Sequence, residues 1–277
     1  MTADLFSANA KIIDGYIATG GTEANITGMW IGRNKLIYES GKNNVAVFCS
    51  FLTHYSVQKA CNLLQIGDTY NSKNGSGLRL IETDDNGHIL LSRLSNAIKE
   101  SISKGVANFI IIGNLGTTLL GSIDDLNGIN KLINDCKMKY PFLHFYFHID
   151  AAFGGFIVPF MDNSPKYGFE LNNLCSIAID PHKAGFVPFS CGIFICRKNL
   201  QDYVTHQVGY IAGHRDDTLS GSRSGSIAAA CWSVFKILGY EGYKKRVNYS
   251  INLANYLKKN LEKMGFYVFE NDMNIVT

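Results

Sequence analysis

The sequence predicts an α/β domain built on a mostly parallel sheet flanked by helices. Three observations carry that expectation. Strand-like and helix-like segments alternate along most of the chain, the pattern of a parallel sheet with helical crossovers. Several of the strand-like runs, among them Phe109 to Gly113 and Cys175 to Ile179, are apolar along almost their whole length, as strands covered on both faces are. Two of them end abruptly in ionisable residues. One leads into His148-Ile149-Asp150-Ala151-Ala152 and the other into Asp180-Pro181-His182-Lys183. The carboxyl ends of strands are where open α/β sheets meet their ligands.

Taken in order, Gly15 to Thr19 leads into a glycine turn, and a helical pattern runs from Thr22 to Lys35. Val45 to Cys49 reads as a strand, Ser56 to Leu64 as a helix, and Leu78 to Glu82 as a weaker strand. Leu91 to Ser103 is amphipathic and helical, Phe109 to Gly113 is a buried strand, and Asp125 to Met138 is a helix. Three strands follow at His144 to Ile149, Cys175 to Ile179 and Gly192 to Arg197. Lys198 to Arg223 has little periodicity and reads as a long functional or mobile loop. Two helices, Ser226 to Leu238 and Glu241 to Met264, meet at Gly239-Tyr240, and Phe266 to Glu270 begins another strand.

Composition narrows the function classes. A chain of 277 residues, 46% hydrophobic and 18% charged, can bury a large core. Its net charge of +3 is too small to point to nucleic acid, and apart from Lys244-Lys245-Arg246 the basic residues are scattered. Seven cysteines without a Cys-x-x-Cys pair read as reduced thiols, with Cys191 and Cys196 as core filler. No secretory signal and no apolar stretch of membrane-spanning length stand out, so the expectation is a soluble cytoplasmic protein.

The two strand ends supply complementary chemistry. Asp150 is a carboxylate able to pair with a pyridinium nitrogen, and Lys183 is an amine able to form a Schiff base; together they point to pyridoxal 5'-phosphate (PLP). Alone, each has an ordinary explanation, a turn carboxylate and a solvated lysine. Gly20-Gly21-Thr22-Glu23-Ala24-Asn25 is a glycine turn opening a helix, a ready anion site that is neither a dinucleotide fingerprint nor a Walker sequence. His54, between a strand and a helix, is placed to stack on a flat ring or to serve as a satisfied loop histidine. Gly116-Thr117-Thr118 and Gly121 to Asp125 are explained by a capped helix start. His148, Asp150 and His182 lack metal-ligand spacing, so no metal site is expected. In Gly221-Ser222-Arg223-Ser224-Gly225 the central residue is Arg223, which fails the serine-hydrolase elbow.

Gly20 to Asn25, Thr53-His54-Tyr55-Ser56, His148 to Gly155, Ile179 to Lys183 and Gly221 to Gly225 occur in an order and spacing that resemble the group II PLP-dependent amino-acid decarboxylases. The likeness is closest to the archaeal tyrosine/aspartate decarboxylase branch, with histidine and serine decarboxylases next. It implies a fold type I large domain over residues 1–238. Residues 239–277 would then be a linking helix and the start of a small C-terminal domain. Relative to that pattern the sequence looks like a central cofactor domain lacking both ends. By the same resemblance, Lys183 is the Schiff-base lysine, His182 its neighbour near phosphate and substrate, and Asp150 the partner of the ring nitrogen. Ala152 and His54 flank the ring, Gly21 and Thr22 cradle the phosphate, and Tyr210 delivers a proton from a mobile loop. Ser222 is assigned to the cofactor and Arg223 to the same element, with less definite roles. The implied activity is decarboxylation of an L-amino acid of tyrosine, aspartate, histidine or serine type by a homodimer. The alternatives are a carbon–carbon lyase of sphingosine-phosphate-lyase type or an inactive PLP-binding fragment.

Overall fold

In the computed structural model the described residues are 2–210, 213 and 215–277. The first elements are α1 (Thr2–Leu5), β1 (Ile13–Ala18), α2 (Gly21–Ser40), β2 (Val45–Ser50), α3 (Ser56–Leu63) and β3 (Gly77–Ile81). They are followed by α4 (Leu91–Ser103), β4 (Asn108–Asn114), α5 (Leu126–Lys139), β5 (His144–Ala151), β6 (Leu174–Ile179) and β7 (Gly192–Arg197). Two short strands, β8 (His206–Gln207) and β9 (Arg215–Asp216), precede the long α6 (Gly225–Lys263). Seven strands form one sheet in the order β1-β7-β6-β5-β4-β2-β3. The pairs from β3 to β6 are parallel, whereas β7 runs antiparallel to both β6 and β1. The sheet is therefore the mostly parallel one that the apolar strands predict.

Period-two alternation splits the core. In β4, Phe109 and Ile111 face the layer containing Leu94, Ile98 and Ile129 of α4 and α5. Ile110 and Ile112 face the opposite layer with Met29 and Ile31 of α2 and Val57 of α3. β5 places Phe145, Phe147 and Ile149 on the first face. Its other face carries Tyr146, His148 and Asp150, spaced two apart, all three buried.

α2 lies along that polar row. Asn25 of its first turns reaches Asp150 at the end of β5, Gly28 abuts His148, and Gly32 abuts the Tyr146 ring. A Cβ at residue 28 would come within 2.7 Å of His148 Nδ1, and one at residue 32 within 2.8 Å of Tyr146 Cδ1. Glycine is required by the close approach of helix to sheet. The helix is longer than the Thr22 to Lys35 pattern suggests, because Lys35 and Glu39 continue it as an ion pair one turn apart. It stops at Gly41, which takes the left-handed conformation (φ 68°) and donates its N–H to Ile37 O.

The end of the chain folds back on the sheet. α6 breaks its helical path at Gly239 (φ 57°, ψ −174°), the junction where the sequence divides it into two helices. Beyond the break, Tyr243 is fully buried, with its ring 5.1 Å from that of Phe160 and 5.5 Å from that of Phe156. Its hydroxyl donates to Gly185 O at 2.7 Å and so pins the segment just after Lys183. Phe266 to Glu270, expected to begin a strand, has no regular structure. Among the described residues no neighbouring strand offers it a ladder; Phe269 N–H bonds instead to Thr277 O at 3.0 Å. The stretch from Lys198 to Arg223 contains residues 211, 212 and 214, which lie outside the described residues. Around them the chain forms a short 3-10 turn at Leu200–Val204 and pairs β8 with β9. Among the described residues no helix is long and apolar enough to cross a membrane.

The close packing of α2 on β5 generates a test that separates it from helix propensity. Gly28→Ala and Gly32→Ala should each lower unfolding stability by about 1–3 kcal/mol through overpacking, even though alanine is the better helix former. Urea unfolding of each variant measures this, and a gain in stability would contradict the packing described.

Candidate active site

β2, β4, β5 and β6 all end at one edge of the sheet. The antiparallel β7 starts there, so Phe189 and Ser190 arrive at the same place. A cavity of about 490 Å³ opens at this edge. It is lined by Thr19 to Glu23 and Asn25 before and within α2, His54 and Tyr55 after β2, Asn114 at the end of β4, and Gly116, Thr117 and Thr118 beyond it. Asp150 and Ala152 come from β5, and Asp180, His182 and Lys183 from the end of β6.

Asp150 is held on both oxygens. Oδ2 accepts from Asn25 Nδ2 at 2.8 Å and Oδ1 from the Ala152 N–H at 3.1 Å. The same Asn25 Nδ2 also donates to Ser56 Oγ at 2.9 Å, and Asn25 Oδ1 lies 2.9 Å from His148 Nε2. An amide oxygen only accepts, so His148 carries its proton on Nε2. Its Nδ1, 2.8 Å from Ser176 Oγ, then accepts from that hydroxyl, which in turn accepts from Tyr146. Burial pushes the His148 imidazole down to about 4, which keeps the ring neutral and this direction of donation fixed. A second branch runs from Ser56 Oγ to His54 Nδ1 at 2.8 Å. Burial lowers His54 as well, against the attraction of Asp150, so a neutral flat ring borders the cavity.

The amine lines the same cavity. Lys183 Nζ lies 3.1 Å from Asp180 Oδ2, and His182 Nε2 is 3.7 Å from the same oxygen. His182 Nδ1 sits 2.6 Å from Cys191 O, and the ring stands edge-on to Phe189 with centroids 4.9 Å apart. Gly21 opens α2 directly beneath: a Cβ there would come within 2.8 Å of Asp180 Oδ2 and 3.2 Å of the Ala152 methyl. The free amides and the dipole of this twenty-residue helix face the cavity at its N-terminus.

The structure thus gathers Gly21, Thr22, His54, Asp150, Ala152, His182 and Lys183 around one space, as the sequence motifs predict. Two predicted residues stand apart. Tyr210 is 94% exposed and does not line the cavity. Ser222 is exposed as well and also lies outside the lining, because a different serine makes the connection: Ser220 Oγ donates to Glu23. Glu23 also accepts from Thr19 N–H at 2.8 Å and Thr19 Oγ at 2.6 Å. Burial opposes its ionisation, but the Ser220 and Thr19 bonds outweigh burial and hold the carboxyl below its usual range. Arg223 stacks over the Tyr16 ring at 4.8 Å and reinforces this tether.

Sequence reasoning gave no role to Asn25, Glu23 or Asp180. The available signal was a polar side chain where a helix start or a strand end turns inward. The capped helix start expected at the end of Gly121 to Asp125 is present. Asp125 is the cap, with its side chain accepting from Gly128 N at 2.8 Å. Asp124 is buried and braces Asn114 and the Ile89 N–H instead.

An α/β sheet whose carboxyl edge carries a lysine and a carboxylate lining one cavity, beside a glycine-initiated helix, defines the class of protein. The comparisons with known proteins are specific. A family profile described as "Pyridoxal-dependent decarboxylase conserved domain" matches residues 2–277. The chain belongs to this family of PLP-dependent amino-acid decarboxylases. It is 36% identical over 287 aligned residues to a tryptophan decarboxylase of Clostridium sporogenes, covering 100% of this chain and 64% of that protein. It is 31% identical to a "Probable L-tyrosine/L-aspartate decarboxylase" of Methanothermobacter thermautotrophicus, covering 95% of this chain and 66% of that protein. Among solved structures, the Lactobacillus brevis glutamate decarboxylase superposes with a TM-score of 0.82 at 24% identity, over 98% of this chain and 60% of that one. The chain therefore spans somewhat less than two thirds of the length of these relatives.

Two measurements probe the hydrogen-bonded chain beneath the cavity. Asn25→Ala strips partners from Asp150, Ser56 and His148 together and should cost on the order of 3 kcal/mol of stability in urea unfolding. His148 titrates lower in the folded state than when unfolded, so its contribution is complete above about pH 6.5 and is lost as pH falls towards about 4. Relative to His148→Gln, the wild type should lose up to ~3 kcal/mol over that interval. Burial raises Asp124 to about 6, which acts in the opposite sense, and the comparison between the two proteins cancels it.

Proposed function

We propose that this chain carries the cofactor site of a PLP-dependent decarboxylase acting on an L-amino acid. The observation that carries the reading is the placement of Asp150 and Lys183 in the lining of one cavity, with Asp150 held by Asn25. The site fits the cofactor on its own terms. A side chain at residue 21 would fill the cradle at the helix start, a fixed carboxylate is available to a ring nitrogen, and Ala152 and a neutral His54 border the space between. When bound, PLP supplies an electron sink conjugated to the substrate's α-carbon.

The chain's own residues do the rest. Asp150 holds a proton on the ring nitrogen, and Asn25 holds Asp150 in the orientation that lets it do so. The Gly21 and Thr22 amides and hydroxyl bind phosphate at the positive end of α2. His54 and Ala152 fix the ring plane, which orients the scissile carboxyl group. Lys183 is the attachment point, with His182 beside it. Tyr210 is assigned proton delivery from the β8–β9 loop, a role that needs this loop to close over the cavity and exclude water. Residues 1–238 form the cofactor-binding unit in this reading, and residues 239–277 link it to a small domain. A homodimer completes the pocket. The substrate belongs to the tyrosine, aspartate, histidine or serine group, and the similarity to a tryptophan decarboxylase adds an indole side chain to those worth testing.

The test is direct. The purified chain mixed with PLP should develop a visible absorption band, and borohydride should leave a reduced adduct at Lys183 detected by peptide mass. Lys183→Arg should leave none. Release of CO2 from one of the five amino acids then identifies the substrate. Tyr210→Phe should slow amine formation and increase transamination products; an unchanged product ratio removes Tyr210 from proton delivery.

A further inference from the structure

We propose that Asp180 is the counter-ion of the Lys183 nitrogen and that this pair controls when the amine is free to attack a carbonyl. The inference rests on the reading of Lys183 as the attachment point and adds a residue to which that reading gives no part. Asp180 follows β6 directly, and its side chain is 5% exposed. Oδ2 lies 3.1 Å from Lys183 Nζ, while Oδ1 is buried with no hydrogen-bond partner. A carboxylate sealed from water with one oxygen unsatisfied keeps its charge only beside a cation.

The groups facing Asp180 leave one strong candidate for that cation. α2 presents only the bare backbone of Gly21. β5 presents Asp150, a like charge already committed to Asn25 and the Ala152 amide. His54 and the Cys191 thiol lie farther off, and His182 Nε2 stands 3.7 Å away. Among the described residues lining the cavity, Lys183 is the one lysine or arginine. Burial pushes the Asp180 carboxyl up, and Lys183 followed by His182 pulls it back down. With about a third of its side chain exposed, Lys183 remains within reach of a reagent.

The experiment needs no cofactor. The cofactor-free chain is trace-labelled with acetic anhydride from about pH 6 to about pH 11, a range spanning the ordinary lysine value, and acetylation of Lys183 is read by peptide mass. Asp180→Asn should lower the pH of half-modification by about one unit, giving about tenfold more label at pH 8. Asp180→Glu, which restores a carboxylate, should move the profile back towards wild type. Superimposable profiles for wild type and Asp180→Asn would overturn the proposal.

Should Asp180→Asn fail to fold, Lys183→Met gives a second reading. It leaves Asp180 with only the more distant His182 beside it and a folded-state value above the unfolded one, so stability should be retained at low pH and lost as pH rises above the ordinary carboxylate range. Adding Asp180→Asn should remove that slope, and a slope that persists would also overturn the pairing. A shifted acetylation profile without a borohydride adduct would refute the decarboxylase reading alone. An adduct with an unshifted profile would refute the counter-ion alone.

Discussion

The hydrogen bond from Asn25 to Asp150 is the constraint on which the site depends. It joins the first helix after the glycine turn to the central strand, and it spends both functions of one amide. The nitrogen holds Asp150 and Ser56 while the oxygen holds His148. Because every member is buried and neutral or paired, the donors can run in only one direction, from Tyr146 through Ser176 and His148 to Asn25, and from Asn25 to Asp150. A carboxylate restrained in this way presents a fixed charge to the cavity. Its orientation costs nothing at the moment of reaction, which is the physical content of preorganisation.

That hydrogen bond forms only because α2 approaches β5 closely enough. Gly28 and Gly32 lie one helical turn apart and remove the side chains that would hold the helix away from His148 and Tyr146. The same helix then delivers its amino end to the carboxyl edge of the sheet. Packing and electrostatics are one arrangement here: the close contact that seats α2 also aims its positive end at the space beside Lys183.

Three acidic side chains border the cavity, and each is treated differently. Glu23 is satisfied by hydroxyl and amide donors and stays ionised, tying the 218–225 segment to the glycine turn. Asp150 is braced by an amide and a backbone N–H. Asp180 has an ammonium and an imidazole beside one oxygen and nothing on the other. Charge in the site is therefore distributed so that two carboxylates are held by hydrogen bonds while the third has its nearest cation in Lys183.

The sequence by itself determined the sheet, the order of its motifs and most of the cavity wall. Strands buried on both faces announce themselves as apolar runs, and their abrupt ends at Asp150 and Asp180 mark the ligand-binding edge. Local pattern was enough for these because burial and strand termination are written in neighbouring residues. What only the tertiary structure decided are the pairings between distant positions: Asn25 with Asp150 and His148, and Glu23 with Ser220 rather than any bond from Ser222. Within the capped helix start, only the structure shows Asp124 turned inward to the Asn114 amide while Asp125 caps α5. A polar side chain in a helix reads the same whether it meets water or a buried carboxylate. Its role depends on what the opposing strand brings to within about 3 Å, the reach of a hydrogen bond, and that distance exists only once the sheet has closed over it.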